Sequence, residues 1–169
     1  MHGFVLTLLP VAHPGVEQKA TWLQIRQNRP DYVLNWGWGV MNSTALKEAL
    51  ATGFPRDKMY GVWWAGAEPD VKDVGDGAKG YNALALQHGA EPNSAVVKEI
   101  LAKVHDKGQG TGPKAEVGEV LYMRGLTAGM FAVEGVRAAQ ERFGKGKWVS
   151  AEQARWGYEN LNLTQAKLD

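Results

Sequence analysis

The chain alternates short apolar runs with amphipathic stretches, and this alternation limits its possible folds more than any other feature. Four runs of strand length are rich in branched and aromatic residues, at 4–9, 32–36, 59–64 and 81–86. Helical patterns follow them at 16–28, from a cap at Asn42, Ser43 or Thr44 to Thr52, at 69–74 and at 94–105. Alternating strands and helices favour parallel βαβ units. The sequence therefore predicts an α/β fold, a parallel sheet flanked by helices.

The pattern changes after Gly112. The pattern at residues 118–144 predicts one long helix, and small residues recur along one stripe of it: Gly125, Ala128, Gly129, Ala132 and Gly135. Small residues allow another element to pack closely. A further helix begins at a predicted capping box made of Ser150 and Gln153. We therefore predict a change in organisation between residues 112 and 113.

Composition argues against several classes of function. The 19 basic and 18 acidic residues are interspersed and leave a net charge of +1, which is not the pattern of a nucleic-acid-binding surface. Cysteine is absent and the four histidines are scattered, so the sequence predicts no metal site or disulfide. No G-x-S-x-G motif marks a catalytic serine. We predict no catalytic residue, no metal and no cofactor.

The sequence contains a glycine cluster and a set of aspartates that resemble ligand-binding motifs. The GWG at residues 37–39 follows a predicted strand and precedes a helix, but neither a third glycine nor a Walker lysine follows at the spacing of a phosphate loop. Asp70, Asp73 and Asp76 are spaced by three residues, a pattern more typical of solvated faces than of a calcium site. The glycines therefore indicate a tight turn, and a nucleotide site is disfavoured.

Tryptophan is the unusual component, with seven residues. Trp36 and Trp38 follow the predicted strand at 32–36, while Trp63 and Trp64 end the one at 59–64. Carboxyl ends of neighbouring parallel strands open at one edge of a sheet, where ligand crevices form. An indole offers a large rigid face and one hydrogen-bond donor. We predict that these four residues form a ligand surface, and that the other three, Trp22, Trp148 and Trp156, are packing residues.

Polar residues near these elements complete the predicted site. Asn42, Ser43 and the free N–H groups of the helix that they begin are suited to a carboxylate or amide oxygen. Tyr122 and Arg124 enter the long helix two residues apart. They are interpreted either as a hydrogen-bonded hinge pair or as ligands of an anionic group. An ion pair on the surface or between lobes is the alternative for Arg124.

Three stretches resemble the type I periplasmic solute-binding proteins of ABC transporters, in the group named for branched-chain amino acids. They read WLQIRQNRPDYVLNWGWGVMNSTALKEALATGFPRDKMYGVWWAG, EVLYMRGLTAGMFAVEGVRAAQERFG and ARWGYENLN. The resemblance covers nearly the whole chain. It implies two flavodoxin-like α/β lobes joined by a hinge, which enclose a small-molecule ligand between them.

The resemblance also implies a place for this chain within such a protein. Residues 1–112 would be the ligand-binding second lobe, beginning at its first strand, and residues 113–169 the crossover segment and helices returning toward the first lobe. The missing first lobe and an export signal would lie upstream, which implies a periplasmic location. The implied partners are ABC transporter permease subunits, and no enzymatic activity is implied.

The ligand contacts of the family imply the turns at residues 36–42 and 63–66 as binding elements. Amino-acid binders of the family place an acidic residue after the third strand of this lobe, whereas this sequence reads VWWAGAE at 62–68. A buried ammonium without a carboxylate partner costs several kcal/mol. We therefore expect an aromatic or apolar carboxylate or amide, with Arg124 at an anionic end. The alternatives are a flavodoxin-like nucleotide-binding or enzymatic domain, and a sensory ligand-binding domain.

Overall fold

Three short parallel strands form the only sheet within residues 3–164, the part of the chain that the computed structural model describes. They are β1 Val33–Asn35, β2 Met59–Gly61 and β3 Asn82–Ala83, adjacent in the order β1-β2-β3. Asn35 lies opposite Gly61, and Gly61 lies opposite Ala83. The predicted α/β class with a parallel sheet is thereby confirmed. The strands are shorter than the apolar runs because those runs continue into turns.

Helix α1 Lys19–Asn28 precedes β1, and two helices lie in the connections between the strands: α2 Val40–Thr52 between β1 and β2, and α3 Glu68–Lys72 between β2 and β3. The core between helices and sheet contains Trp22, Leu46 and Met59, each at most 2% exposed. Burying a side chain of this size contributes about 1.5–3 kcal/mol. The ring of Trp22 meets that of Phe54 edge to face, with 6.1 Å between centroids. The packing role predicted for Trp22 is confirmed, and this core fixes the face of the sheet on which the helices lie.

Helix α2 begins earlier than predicted. Gly39 occupies its N-cap position with φ 55° and ψ −134°, a conformation that a side chain disfavours. Asn42, Ser43 and Thr44 therefore lie inside the helix and do not cap it. The end is as predicted, since Gly53 adopts the left-handed conformation and its N–H bonds the carbonyls of Ala49 and Leu50.

The strand predicted at residues 4–9 is wrong. This segment forms no strand, and Phe4, Val5, Leu6 and Leu8 are between 73% and 96% exposed. A strand needs a neighbour that takes its hydrogen bonds, and the described sheet consists of β1, β2 and β3 alone. Leu9 is the exception in this run, because it is partly buried against the core.

The chain divides into two compact units, the first ending at His88 and the second beginning at Gly89. The second unit contains α4 Ala95–Ile100, α5 Val120–Phe143 and α6 Ala151–Glu159, and a wider π-helical turn, Leu101–His105, continues α4. The predicted division between residues 112 and 113 falls later in the chain than this boundary, and its assignment to lobes stays a prediction. No helix within residues 3–164 is long and apolar enough to cross a membrane.

Helices α5 and α6 pack closely at two glycines. A Cβ atom placed on Gly157 would lie 2.0 Å from the carbonyl oxygen of Gly135, and one on Gly135 would lie 2.6 Å from the ring of Tyr158. The small-residue stripe thus admits a neighbour at Gly135, whereas a Cβ on Gly125 or Gly129 would meet nothing within 4 Å. The predicted close packing is confirmed for this end of the stripe.

The two other tryptophans predicted to be packing residues, Trp148 and Trp156, differ in their exposure to solvent. Trp156 of α6 meets Phe143 edge to face, with 5.4 Å between ring centroids, so its packing role is confirmed. Trp148 is fully exposed, and its assignment as a packing residue is wrong. It lies in the connection between α5 and α6, where no helical periodicity directs it inward.

The capping box of α6 is confirmed, because the Ser150 side chain accepts from the Gln153 N–H and Gln153 Oε1 accepts from the Ser150 N–H.

Candidate functional site

Strands β1 and β2 end side by side and direct their following turns to one edge of the sheet. Asn35, the last residue of β1, is in register with Gly61, the last residue of β2. The Val62 N–H donates to the Asn35 carbonyl at 3.1 Å, which extends this pairing by one residue. The turns carrying the four predicted tryptophans therefore leave the sheet together, as expected for parallel strands.

Three of those four tryptophans form a continuous cluster, here called the indole corner: Trp38, Trp63 and Trp64. The rings of Trp38 and Trp64 are 6.0 Å apart between centroids and nearly perpendicular at 86°. Trp63 and Trp64 are 4.7 Å apart at 47°. Trp38 is 48% and Trp64 42% exposed, so indole surface remains open to solvent. Trp36 is 74% exposed and joins none of these ring pairs among the described residues.

The indole corner rests on a buried polar residue of α2. Asn42 is completely buried, and its Nδ2 donates to the Trp64 carbonyl and to Asp70 Oδ1, each at 3.0 Å. Its Oδ1 accepts from Asn35 Nδ2 at 3.2 Å. The predicted direct contact of Asn42 with a ligand stays a prediction, and the geometry does not favour it, because both ends of the amide already have partners inside the protein.

Asp70 of α3 is the buried acid of this region, at 5% exposure. Its Oδ2 accepts from the Ala67 N–H at 3.0 Å, which caps the start of α3 in the manner of a capping-box acid. The three-residue spacing predicts that Asp70 lies with Asp73 and Asp76 on a solvated face, and for Asp70 this prediction is wrong. Its position three residues after the N-cap Ala67 was the signal that could have separated it from the two exposed aspartates.

Tyr81, just before β3, completes a hydrogen-bond network that also contains Asn35, Asn42 and Asp70. Its hydroxyl donates to the Ala65 carbonyl at 2.8 Å and accepts from Asn35 Nδ2 at 3.4 Å. Burial raises the pKa of the Tyr81 phenol above its ordinary value; the Asn35 hydrogen bond lowers the pKa, and the nearby Asp70 charge raises it. The phenol therefore stays neutral and acts as a donor. Neither Asn35 nor Tyr81 was singled out from sequence.

Two glycines make room for these polar groups. A Cβ on Gly37 would lie 2.7 Å from Asn42 Oδ1, and one on Gly61 would lie 2.1 Å from the Tyr81 hydroxyl. In the GWG turn at residues 37–39, Gly37 therefore allows the Asn42 side chain to approach the backbone closely, and Gly39 allows a positive φ. These contacts explain the glycines by packing and backbone conformation, without a phosphate-binding loop.

Tyr122 and Arg124 lie near the start of α5 in the second unit, and both are half-buried. The indole corner belongs to the first unit. A part for Tyr122 and Arg124 in ligand binding stays a prediction.

Comparison with known proteins places this chain in a family. The family model described as "Periplasmic binding protein" matches residues 5–165. The chain therefore belongs to the periplasmic binding protein family, as the resemblance in its sequence implied.

Two solved structures are similar to the chain. One, from the Pseudomonas fluorescens group, is described as an ABC transporter permease; it is 40% identical, with a TM-score of 0.78 over 95% of this chain and 38% of that one. The other is a branched-chain amino acid ABC transporter protein from Thermus thermophilus with bound valine; it is 25% identical, with a TM-score of 0.69 over 88% of this chain and 37% of that one. This chain thus spans less than two fifths of either protein. No curated protein matches it.

Proposed function

We propose that this chain is part of the solute-binding component of an ABC-type importer. The family match and the two transporter-associated neighbours support this role. The protein would work in the periplasm, deliver its ligand to permease subunits and enclose that ligand with a first lobe supplied by residues outside this chain. Binding and release, without chemical conversion of the ligand, would be its whole activity.

The ligand that we propose is a small aromatic or apolar carboxylate or amide. The observation that carries this proposal is the indole corner, where three tryptophans from two strand-end turns meet with open surface. Flat rings stack on such surfaces, and aromatic pairs contribute about 0.5–1.5 kcal/mol beyond simple burial. The Thermus thermophilus protein was solved with valine, but the turn at residues 62–67 of this chain contains no acid to hold an ammonium.

Titration of the protein with benzoate, benzamide and L-valine tests this proposal, with tryptophan fluorescence and calorimetry as readouts. We expect benzoate or benzamide to bind more tightly than L-valine. Trp38→Ala, Trp63→Ala and Trp64→Ala should each weaken binding about 3- to 10-fold, because 1.4 kcal/mol corresponds to a tenfold change.

Trp148→Ala is the matched control, since Trp148 is fully exposed in the connection between α5 and α6. It should leave the affinity unchanged. Unaltered affinity in all three indole-corner variants would place the ligand elsewhere. Tighter binding of L-valine than of both aromatic probes would refute the ligand class.

A further inference from the structure

Three backbone carbonyls of the turn that carries Trp63 and Trp64 accept hydrogen bonds from within the protein. The Trp64 carbonyl accepts from Asn42 Nδ2 at 3.0 Å, and the Ala65 carbonyl accepts from the Tyr81 hydroxyl at 2.8 Å. The Val62 carbonyl accepts from the Ala65 N–H at 2.8 Å. Three acceptors that a strand-end turn could offer to a ligand are therefore used internally.

Side chains from three other elements hold this turn, two as donors to its carbonyls and one as an acceptor from its Ala67 N–H. Asn42 comes from α2, Asp70 from α3, and Tyr81 from the segment before β3. An Asn amide has two N–H hydrogens, and Asn42 directs one to the Trp64 carbonyl and one to Asp70. Asp70 in turn binds the Ala67 N–H at the end of the same turn. The turn is thus fixed at Trp64, Ala65 and Ala67 from within.

We propose that Asn42, Asp70 and Tyr81 are positioning residues that orient the turn so that its indoles, and not its carbonyl oxygens, face the ligand. The inference rests on the proposed function for the identity of the site and adds a reason for its selectivity. A primary ammonium has three N–H donors that require acceptors. The indole corner offers ring faces in place of those acceptors, so a flat aromatic or apolar group is selected there.

The mutual orientation of Trp63 and Trp64 gives a readout that does not depend on any ligand. Two indoles at 4.7 Å couple electronically, and the sign and size of their circular-dichroism band depend on the angle between the rings. Trp63→Phe identifies this band by removing it. The band therefore reports the orientation of the turn separately from the stability of the fold.

Asp70→Asn and Tyr81→Phe are the test variants. Asparagine at position 70 replaces one acceptor oxygen by an NH₂ group, which would face either Asn42 Nδ2 or the Ala67 N–H. Phenylalanine at position 81 removes only the hydroxyl that holds Ala65. We expect the indole-pair band to be lost or inverted in both variants while cooperative thermal unfolding persists. Tyr81→Phe, the milder change, decides the matter if Asp70→Asn does not fold.

Asp73→Asn and Tyr60→Phe are matched controls, because both residues are exposed and neither belongs to the network. They should leave the band intact. A band retained in folded Asp70→Asn and Tyr81→Phe, or altered equally in the controls, overturns the positioning role.

A ligand arm separates this inference from the proposed function. With benzamide and L-valine as probes, the ratio of the Kd for L-valine to the Kd for benzamide should fall several-fold in Tyr81→Phe. An unchanged preference overturns the selectivity claim even if the native protein binds benzamide. If the native protein binds neither probe, the proposed ligand class fails, and loss of the band in the variants still supports the positioning role.

Discussion

The rings of Trp38 and Trp64 meet at 86° with 6.0 Å between their centroids, although 26 residues separate them in the chain. This edge-to-face contact joins the turn after β1 to the turn after β2. Since aromatic pairs of this kind contribute about 0.5–1.5 kcal/mol beyond burial, we expect a coupling energy of that size in a double-mutant cycle of Trp38→Ala and Trp64→Ala. Urea unfolding measures it.

The control cycle pairs Trp38→Ala with Trp148→Ala. Trp148 is fully exposed, so these two substitutions should be additive within about 0.3–0.5 kcal/mol. Equal coupling in both cycles would mean that the ring contact is not its source.

Gly61→Ala should destabilise the first unit by about 1–3 kcal/mol, the usual cost of overpacking. The added Cβ would lie 2.1 Å from the Tyr81 hydroxyl and 2.9 Å from the Ala65 carbonyl oxygen. Gly112→Ala, where a Cβ meets nothing within 4 Å, is the control and should be neutral or slightly stabilising. Adding Tyr81→Phe should recover part of the loss, because it removes the clashing hydroxyl; strict additivity of the two changes would contradict this account.

Substituting alanine for the glycines of α5 should raise the stability at some positions and lower it at another. Gly125→Ala and Gly129→Ala add a Cβ with nothing within 4 Å and should each stabilise the helix by about 0.5–1 kcal/mol. Gly135→Ala should destabilise it, because its Cβ would lie 2.6 Å from the Tyr158 ring. Thermal unfolding of the three variants distinguishes these outcomes, and stabilisation by all three would show that α5 and α6 pack less closely than the structure indicates.

Because the pKa of the Tyr81 phenol is raised by folding, we expect the protein to lose stability at alkaline pH. Its pKa is raised in the folded protein above the ordinary 10.0, so the folded state favours the neutral form. Below about pH 10 both states keep the proton and stability is unaffected. Above about pH 10 the unfolded phenol ionises first, and the free energy of unfolding falls until the pH exceeds the folded pKa.

The difference between the ultraviolet titrations of the native protein and Tyr81→Phe isolates this ionisation. Urea unfolding at about pH 8 and about pH 11 should show a smaller alkaline loss in Tyr81→Phe than in the native chain. Ionisation of Tyr81 at or below its ordinary pKa would contradict the buried, donating phenol.

The sequence was sufficient to predict the fold class, because alternation of strands and helices is local information. It also predicted the end of α2 at Gly53 and the capping box at Ser150, where single residues have strong conformational preferences. It predicted that tryptophans follow β1 and β2, and the structure brings Trp38, Trp63 and Trp64 together.

The polar network was beyond such reasoning, because it depends on contacts between distant positions. Asn35 and Tyr81 are 46 residues apart, and Asn42 and Asp70 are 28 apart. From the sequence, Asn35 and Tyr81 fall within predicted strands, Asn42 is predicted as a cap and ligand residue, and Asp70 as a solvated residue, and nothing local indicates that they are partners. The strand predicted at residues 4–9 failed for a related reason, since apolar composition does not supply a strand with a hydrogen-bonding neighbour.

Leu6→Lys should reduce self-association of the chain. Phe4, Val5, Leu6 and Leu8 are all more than 70% exposed, and residues 4–9 contain no charge. A charge within an exposed apolar segment opposes intermolecular strand pairing. Light scattering at increasing protein concentration should show smaller particles for Leu6→Lys than for the native chain. Leu23→Lys, at an exposed position of α1, is the control for added charge alone.

Because most of the run at residues 4–9 is exposed, we expect self-association of the chain to depend on protein concentration and on salt. Uncharged, β-prone segments of this length can nucleate fibrils when their backbone groups have no partner. Kosmotropic salts, which strengthen the burial of apolar surface, should hasten precipitation, whereas dilution should keep the chain dispersed.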